Sequence, residues 1–283
     1  MKSIPRIGLG TYRMRDSDAE ALVYDAIRIG YRHFDTAAVY RNESAVSSGV
    51  KRAINEGLVS RKDVWITTKI APKDQGYDKC SKAILERLKL LDLDYIDLLL
   101  LHWPGSQGLK PSNPKNKENR LGSITAMHEA VLAGSVKRIG VSNFDIVHFD
   151  DIPSTVELFC NQIEFHPLLN TPDSLKLFEY CKNRKILIQA YSCLGEGKLL
   201  DSEKYPQVAQ VAKELNCTSA QVLIAWALSK GCIVMPKSSS KTRLQENFES
   251  VKIKLSQDHV KVLDGMADAF GSLKFCWNPK EIV

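Results

Sequence analysis

The 283 residues carry 39 Lys and Arg against 33 Asp and Glu, a net charge of +6 spread along the chain, and so small and diffuse a surplus argues against a nucleic-acid partner. Hydrophobic residues make up 44% and charged ones 25%, ordinary values for a soluble globular chain, and no run approaches the ~18 uninterrupted apolar residues of a membrane span. Seven cysteines, an odd number without a Cys-x-x-Cys pair, point to a reducing intracellular compartment, and neither MKSIPRIGLG nor PKEIV at the two ends reads as a secretory leader or a lipid anchor.

Eight short β-branched or apolar runs follow one another: RIGLG (6–10), YRHFD (31–35), VWITTK (64–69), YIDLLLLH (95–102), VKRIGVS (136–142), FCNQIE (159–164), ILIQAYS (186–192) and CIVMPK (232–237). Between them lie segments of helical period: DAEALVYDAIRIG, ESAVSSGVKRAINEG, DKCSKAILERLKLL, SITAMHEAVLAG, DSLKLFEYCKNR and SAQVLIAWALSKG, with LSQDHVKVLDGMADAF after the last strand. Gly30, Gly57, Gly134 and Gly231 each close such a segment, where a left-handed C-terminal cap favours glycine. KPSNPKNKENR, from Lys110 to Arg120, combines prolines, asparagines and cations and reads as a mobile surface loop.

Strand alternating with helix implies a parallel sheet, and eight repeats with strands buried on both faces imply a single-domain (β/α)8 barrel over residues 1–283; an open doubly wound sheet is the competing arrangement. A barrel gathers its chemistry at the C-terminal strand ends. There the sequence places Asp35, Lys69, His102, Ser142 with Asn143, Gln162 with Glu164, Tyr191 with Ser192, and Lys237 with Ser238, with Tyr40 just beyond Asp35.

A phenol, an amine, a carboxylate and an imidazole together can manage one proton. Tyr40 is the natural donor, but a free phenol, with a pKa of ~10, releases its proton reluctantly. Lys69 as a neighbouring cation would lower that value, Asp35 would keep the ammonium charged, and His102 would orient a carbonyl. Each residue alone reads more simply as a cap, a surface charge or packing; the set of four at strand ends does not.

The blocks GLGTYRM, HFDTAAVYRNE, TTKI, DLLLLHWP, KRIGVSNF, NQIEFHPLL, AYSCLG and MPKSSSKTRLQEN span nearly the whole chain, and in them the sequence resembles the aldo-keto reductases. The resemblance implies a catalytic tetrad of Asp35, Tyr40, Lys69 and His102, with Tyr40 as general acid in carbonyl reduction. It also implies NADPH lying across the barrel mouth. Ser142, Asn143 and Gln162 would hold the nicotinamide carboxamide and Tyr191 would stack on the ring, with Gly10, Thr11, Tyr12, Ser192, Leu194 and Gly195 as further contacts and Glu246 and Asn247 at the adenine. Apart from the resemblance, MPKSSSKTRLQEN sets three cations and three serines about a helix N-terminus after the eighth strand, an anion site in which Lys237, Ser238 and Arg243 suit a 2'-phosphate. Gly8-x-Gly10 lacks the later glycine of a dinucleotide fingerprint, and no metal site is evident.

Tyr12, Trp103 and Trp277, together with Tyr40 and His102, are expected to line a pocket for a small-molecule carbonyl substrate. The 14 residues from Phe270 to Val283 give the tail little reach over it, which leaves the stretch Gly105–Leu121 as the larger influence on selection. Arg41 stands where the family often has glycine and would favour anionic substrates. Cys193 stands where it often has proline and, if its thiolate is accessible, would be sensitive to oxidation; Glu196 is expected to point outward. By the same resemblance the chain is expected to be a cytoplasmic monomer. The competing readings are a non-catalytic NADPH-binding barrel, of the channel-subunit or crystallin kind, and a Schiff-base aldolase using Lys69.

Overall fold

The computed structural model describes residues 4–283; the first three residues, part of the N-terminal stretch considered above as a leader, lie outside the described residues. Eight parallel strands, β1 (Leu9–Gly10), β2 (His33–Asp35), β3 (Trp65–Ile70), β4 (Leu98–Leu101), β5 (Ile139–Ser142), β6 (Cys160–Glu164), β7 (Leu187–Tyr191) and β8 (Ile233–Val234), pair in sequence order. A parallel bridge between Ile7 and Val234, with the Gly8 amide donating to Val234 O at 2.9 Å, joins the last strand to the first and closes the (β/α)8 barrel. All eight strand segments expected from the sequence are present.

The helices are α1 (Asp16–Ile29), α2 (Glu43–Asn55), α3 (Tyr77–Leu91), α4 (Lys115–Leu132), α5 (Ile146–Phe149), α6 (Pro172–Asn183), α7 (Pro206–Glu214), α8 (Ser219–Ser229), α9 (Lys241–Glu249), α10 (Gln257–Asp264) and α11 (Met266–Phe270). In α1 the buried residues Ala19, Val23, Ala26 and Ile27 recur at the helical period and form one face toward the strands. Gly49 lets α2 lie against it closely, since a Cβ there would stand 2.5 Å from Glu20 O. The four cap glycines all have positive φ, from 73° at Gly57 to 129° at Gly30.

The strands sort the apolar residues by alternation. Leu99 and Leu101 belong to the large cluster between strands and helices, whereas Leu98 and Leu100 join Trp65 and Cys160 in a small separate cluster. That second set follows the register of the barrel interior. Continued by two residues at a time along the same strands, it reaches Lys69, His102 and Gln162, so the interior face that starts apolar ends in the polar candidates.

Two expectations are corrected. Lys110–Arg120 is not a free loop: α4 begins at Lys115, eight residues before SITAMHEAVLAG, and Arg120 is buried, pairing with Asp151 and donating to Pro104 O and Val283 O. The buried guanidinium organises a stretch whose composition alone reads as coil. The C-terminal tail also reaches further than its length suggested. The Leu273 amide donates to Leu168 O beyond β6, Ile282 O meets His148 Nε2 at 2.9 Å, and the Val283 amide donates to Pro111 O, so the tail crosses the mouth. Its backbone is tied down at Leu273, Ile282 and Val283 by partners remote in the chain. Among the described residues no helix is long and apolar enough to cross a membrane.

Candidate active site

Lys69, the penultimate residue of β3, lies inside the barrel, fully buried, and its three ammonium protons find three acceptors: Asp35 Oδ2 at 2.6 Å, Thr36 O at 3.0 Å and Tyr40 Oη at 3.3 Å. Asp35 is 4% exposed and also accepts from Gln162 Nε2 at 2.7 Å. The His102 ring lies edge-on to Tyr40 with centroids 5.7 Å apart, and the Tyr12 ring covers Tyr40 at 5.1 Å. Asp35, Lys69 and His102 from three strand ends and Tyr40 from the turn just beyond Asp35 therefore meet.

Burial by itself would pull the Lys69 ammonium down, but the Asp35 carboxylate and Tyr40 more than offset it, so its pKa stands above the ordinary lysine value. Tyr40 departs from the expectation. Burial raises its phenol more than Lys69 lowers it, and the net shift is upward. The low-dielectric surroundings that strengthen the cation's pull also penalise the phenolate. Tyr40 is thus a protonated phenol at neutral pH, poised to donate. Burial, then the Lys69 charge, pushes the His102 imidazole down to about 3, leaving it neutral and able to donate one hydrogen bond; its Nδ1 is buried and has no partner among the described residues.

His148 and His166 are likewise lowered by burial, and Glu164 is held down at about 2 because its hydrogen bonds with His166 and Lys274 outweigh desolvation. Each depressed histidine takes up its proton at a higher pH in the unfolded chain than in the folded one, so stability is lost as pH falls below about 6.5. Glu164 contributes stability above its unfolded value that is lost as pH falls toward 2. Both effects have the same sign, and the unfolding free energy should drop steadily from about pH 7 to pH 4. Urea titrations across that range would show it, and a flat profile would contradict the buried neutral imidazoles.

Asn42 and Glu43, which follow Tyr40 by two and three residues, carry roles the sequence reading missed. The Asn42 amide, 1% exposed, accepts from Thr36 Oγ1 at 2.8 Å and donates to Thr11 O at 2.8 Å and Met14 O at 3.2 Å. Glu43 accepts from Thr68 Oγ1 at 2.5 Å and faces Arg87 Nε at 3.1 Å. Together they fasten the turn that presents Tyr40 to the strand that presents Lys69. Their only sequence signal was adjacency to the tyrosine.

The expected cofactor residues fall into three groups. Ser142, Asn143, Gln162 and Tyr191 stand together and already bond one another: Asn143 Nδ2 donates to Ser142 Oγ and His102 O, Tyr191 Oη donates to Asn143 Oδ1 at 2.7 Å, and Gln162 Nε2 reaches Gln189 Oε1 at 2.9 Å. Gly10 and Thr11 lie beside Asp35, where the Thr11 hydroxyl is buried and donates to Asp35 O, facing the fold rather than the mouth; Tyr12 is exposed. Ser192, Leu194 and Gly195 lie under the tail, with the Phe275 ring against Gly195. At α9, Lys237 and Arg243 are exposed and make no ion pair among the described residues, Ser238 and Asn247 are buried, and Glu246 is half-buried. The Ser240 side chain does not cap α9, so the amide end of this helix is open beside both cations.

Trp103 and Trp277 meet edge-to-face at 6.1 Å, and Trp277 is 79% exposed. Cys193 is 1% exposed, and burial pushes its thiol up to about 12; the accessible thiolate on which oxidation sensitivity depended is not there. Glu196 points outward as expected. Arg41 is exposed with φ 61°, a left-handed conformation that glycine adopts without strain and an arginine adopts less readily. A cavity of ≈ 500 Å³ opens on the outer side of the Tyr40 turn, lined by Val39, Arg41, Glu43, Lys73 and Arg87 among others; no tetrad residue lines it.

The family model for the aldo/keto reductase family matches residues 6–268. The chain is 37% identical over 264 residues to a 9,11-endoperoxide prostaglandin H2 reductase of Trypanosoma cruzi, covering 92% of this chain and 87% of that protein. It is 35% identical over 266 residues to a glyoxal reductase of Bacillus subtilis, covering 93% and 89%. Among solved structures it superimposes on MGS-M4, an aldo-keto reductase enzyme from a Medee basin deep-sea metagenome library, with TM-score 0.85 at 33% identity, covering 98% of this chain and 95% of that one. A closed eightfold barrel and a match running through nearly every strand and helix lead to one assignment: this chain belongs to the aldo/keto reductase family of oxidoreductases.

Proposed function

We propose that the chain reduces aldehydes and ketones to alcohols with NADPH, and that Asp35, Tyr40, Lys69 and His102 carry the proton side of the reaction. The observation that carries this reading is the Lys69 ammonium bonded to both Asp35 and Tyr40 at the last interior position of the barrel, beside a neutral imidazole. A carbonyl oxygen seated between Tyr40 and His102 receives the phenolic proton as negative charge develops on it, while His102 donates a hydrogen bond that orients it. Lys69 balances the phenolate left behind, and Asp35 keeps Lys69 charged. The nicotinamide supplies the hydride when bound, with Ser142, Asn143, Gln162 and Tyr191 as the residues that would hold and orient it.

The open amide end of α9 between Lys237 and Arg243 fits a phosphate group, which is why NADPH is preferred here to NADH. Arg243→Ala should therefore raise the KM for NADPH by about tenfold or more, the worth of one lost charge-assisted pair, and leave the KM for NADH nearly unchanged. An equal effect on both cofactors would remove the 2'-phosphate assignment.

Aromatic walls from Tyr12, Trp103 and Trp277 around one polar corner suit small aldehydes, dicarbonyls and quinones, and the names of the Trypanosoma and Bacillus relatives point the same way. The reading also takes the protein as cytoplasmic, supported by seven cysteines that are all free thiols, and as a monomer by the family resemblance alone. The test is NADPH oxidation, with NADH in parallel, against a panel of aldehydes, dicarbonyls, quinones and a prostaglandin endoperoxide. Tight NADPH binding without turnover of any of them would favour the non-catalytic barrel.

A further inference from the structure

Glu164 ends β6 on the interior register, two residues past Gln162. Its side chain is wholly buried, yet its carboxylate touches neither Tyr40 nor Lys69. Instead Lys274 Nζ donates to Oε2 at 2.8 Å, the Phe275 amide to Oε1 at 2.7 Å, the Cys276 amide to Oε2 at 3.1 Å, and His166 Nε2 faces Oε1 at 3.2 Å. A carboxylate offers about four acceptor sites, and all are taken. Three of the four donors belong to the tail. A buried charge is tolerated only when paired and hydrogen-bonded, so the tail is the counter-ion and the solvent shell of a charge fixed to the barrel.

The next residue along the tail is Trp277, and its contact with Trp103 joins the tail to the loop after β4 one residue beyond His102. At 79% exposed, Trp277 has too little burial of its own to hold that position. Its placement comes from its neighbours: Glu164 on one side, and on the other the Ile282 O contact with His148 and the Val283 amide on Pro111 O. Phe275, held by the same carboxylate, packs against Gly195 in the loop after β7. One buried side chain at a strand end thus sets the position of the tail across the substrate side of the mouth.

We propose that Glu164 is a positioning residue for substrate selection: it fixes Lys274–Cys276 so that Trp277 stands against Trp103 as a wall of the pocket, and it acts on bulky, aromatic carbonyl substrates through that wall. The assignment of the wall to the substrate rests on the function proposed above; the latch itself does not.

Glu164→Gln keeps the shape and one acceptor oxygen but loses the charge. Amide hydrogen exchange at Phe275 and Cys276 should then speed up by about tenfold or more, since the local opening that exposes them becomes easier. The KM for an aromatic aldehyde should rise about tenfold while kcat changes less than about twofold, as expected when positioning rather than proton transfer is lost. Trp277→Ala should give the same KM rise, and the double variant no further rise, because both act on one wall. Additive effects in the double variant, a fall in kcat with KM unchanged, or unaltered exchange would each overturn the proposal.

Should Glu164→Gln fail to fold, Lys274→Met removes only the partly exposed cation; it should accelerate the same two amides and raise the same KM to a smaller degree, and no change in either would overturn the latch. If the wild-type protein reduces no carbonyl compound, the functional reading fails while the exchange experiment still decides whether Glu164 holds the tail.

Discussion

Tyr40→Phe is expected to lower kcat for carbonyl reduction by about 10²- to 10⁴-fold, the usual contribution of a positioned proton donor, with NADPH binding nearly unaffected. The substitution removes one oxygen. Lys69 keeps Asp35 Oδ2 and Thr36 O as acceptors, and the ring keeps its contacts with Tyr12 and His102, so the structural cost should stay near ~1 kcal/mol, the scale of one lost hydrogen bond. Steady-state kinetics alongside fluorescence titration of NADPH would separate the two effects. Because burial holds the phenol above its ordinary pKa, the donor form persists through neutral pH, and the wild-type rate of reduction should show no loss from Tyr40 ionisation between pH 6 and 8. If Tyr40→Phe keeps near-normal turnover, the proton comes from elsewhere and the proposed role of Tyr40 fails.

Lys69→Met should be the more damaging change to the molecule as a whole. It leaves the Asp35 carboxylate, 4% exposed, without its cation, and breaking a buried ion pair from one side costs about 3–5 kcal/mol. It also removes the charge that stabilises a Tyr40 phenolate, so activity should fall together with stability. Adding Asp35→Asn to Lys69→Met should restore much of the stability without the activity, because removing both charges avoids the uncompensated one. Urea denaturation of the single and double variants measures this directly. A single variant as stable as wild type would mean that water reaches Asp35, contrary to its burial.

Much of this was legible before any coordinates. Eight short apolar runs separated by helix-period segments and closed by glycines sufficed for the barrel, because strand and helix periods are local properties of the chain. The tetrad was legible for a related reason: a polar residue at the end of an apolar strand has few explanations, and Asp35, Lys69 and His102 each ended one. Where local composition misled, a distant partner was responsible. Lys110–Arg120 reads as coil, yet Arg120 is buried against Asp151 and the tail. The tail itself was judged by its length, whereas its course is set by Glu164, His148 and Pro111, from a strand, a helix and a loop far away in sequence.

The sign of the Tyr40 shift shows the same division. Sequence supplied the cation that would lower the phenol, but only the packed structure supplies the desolvation that outweighs it. The order of strands and helices, the barrel and the residue types at its mouth could be read from the amino-acid order alone, since these follow from periodicity and from which side chains end each strand. Burial, the partners of Asn42, Glu43 and Glu164, and the path of the tail were decided only by tertiary structure, because each depends on contacts between residues remote in the chain whose free energies exist only once the barrel has closed.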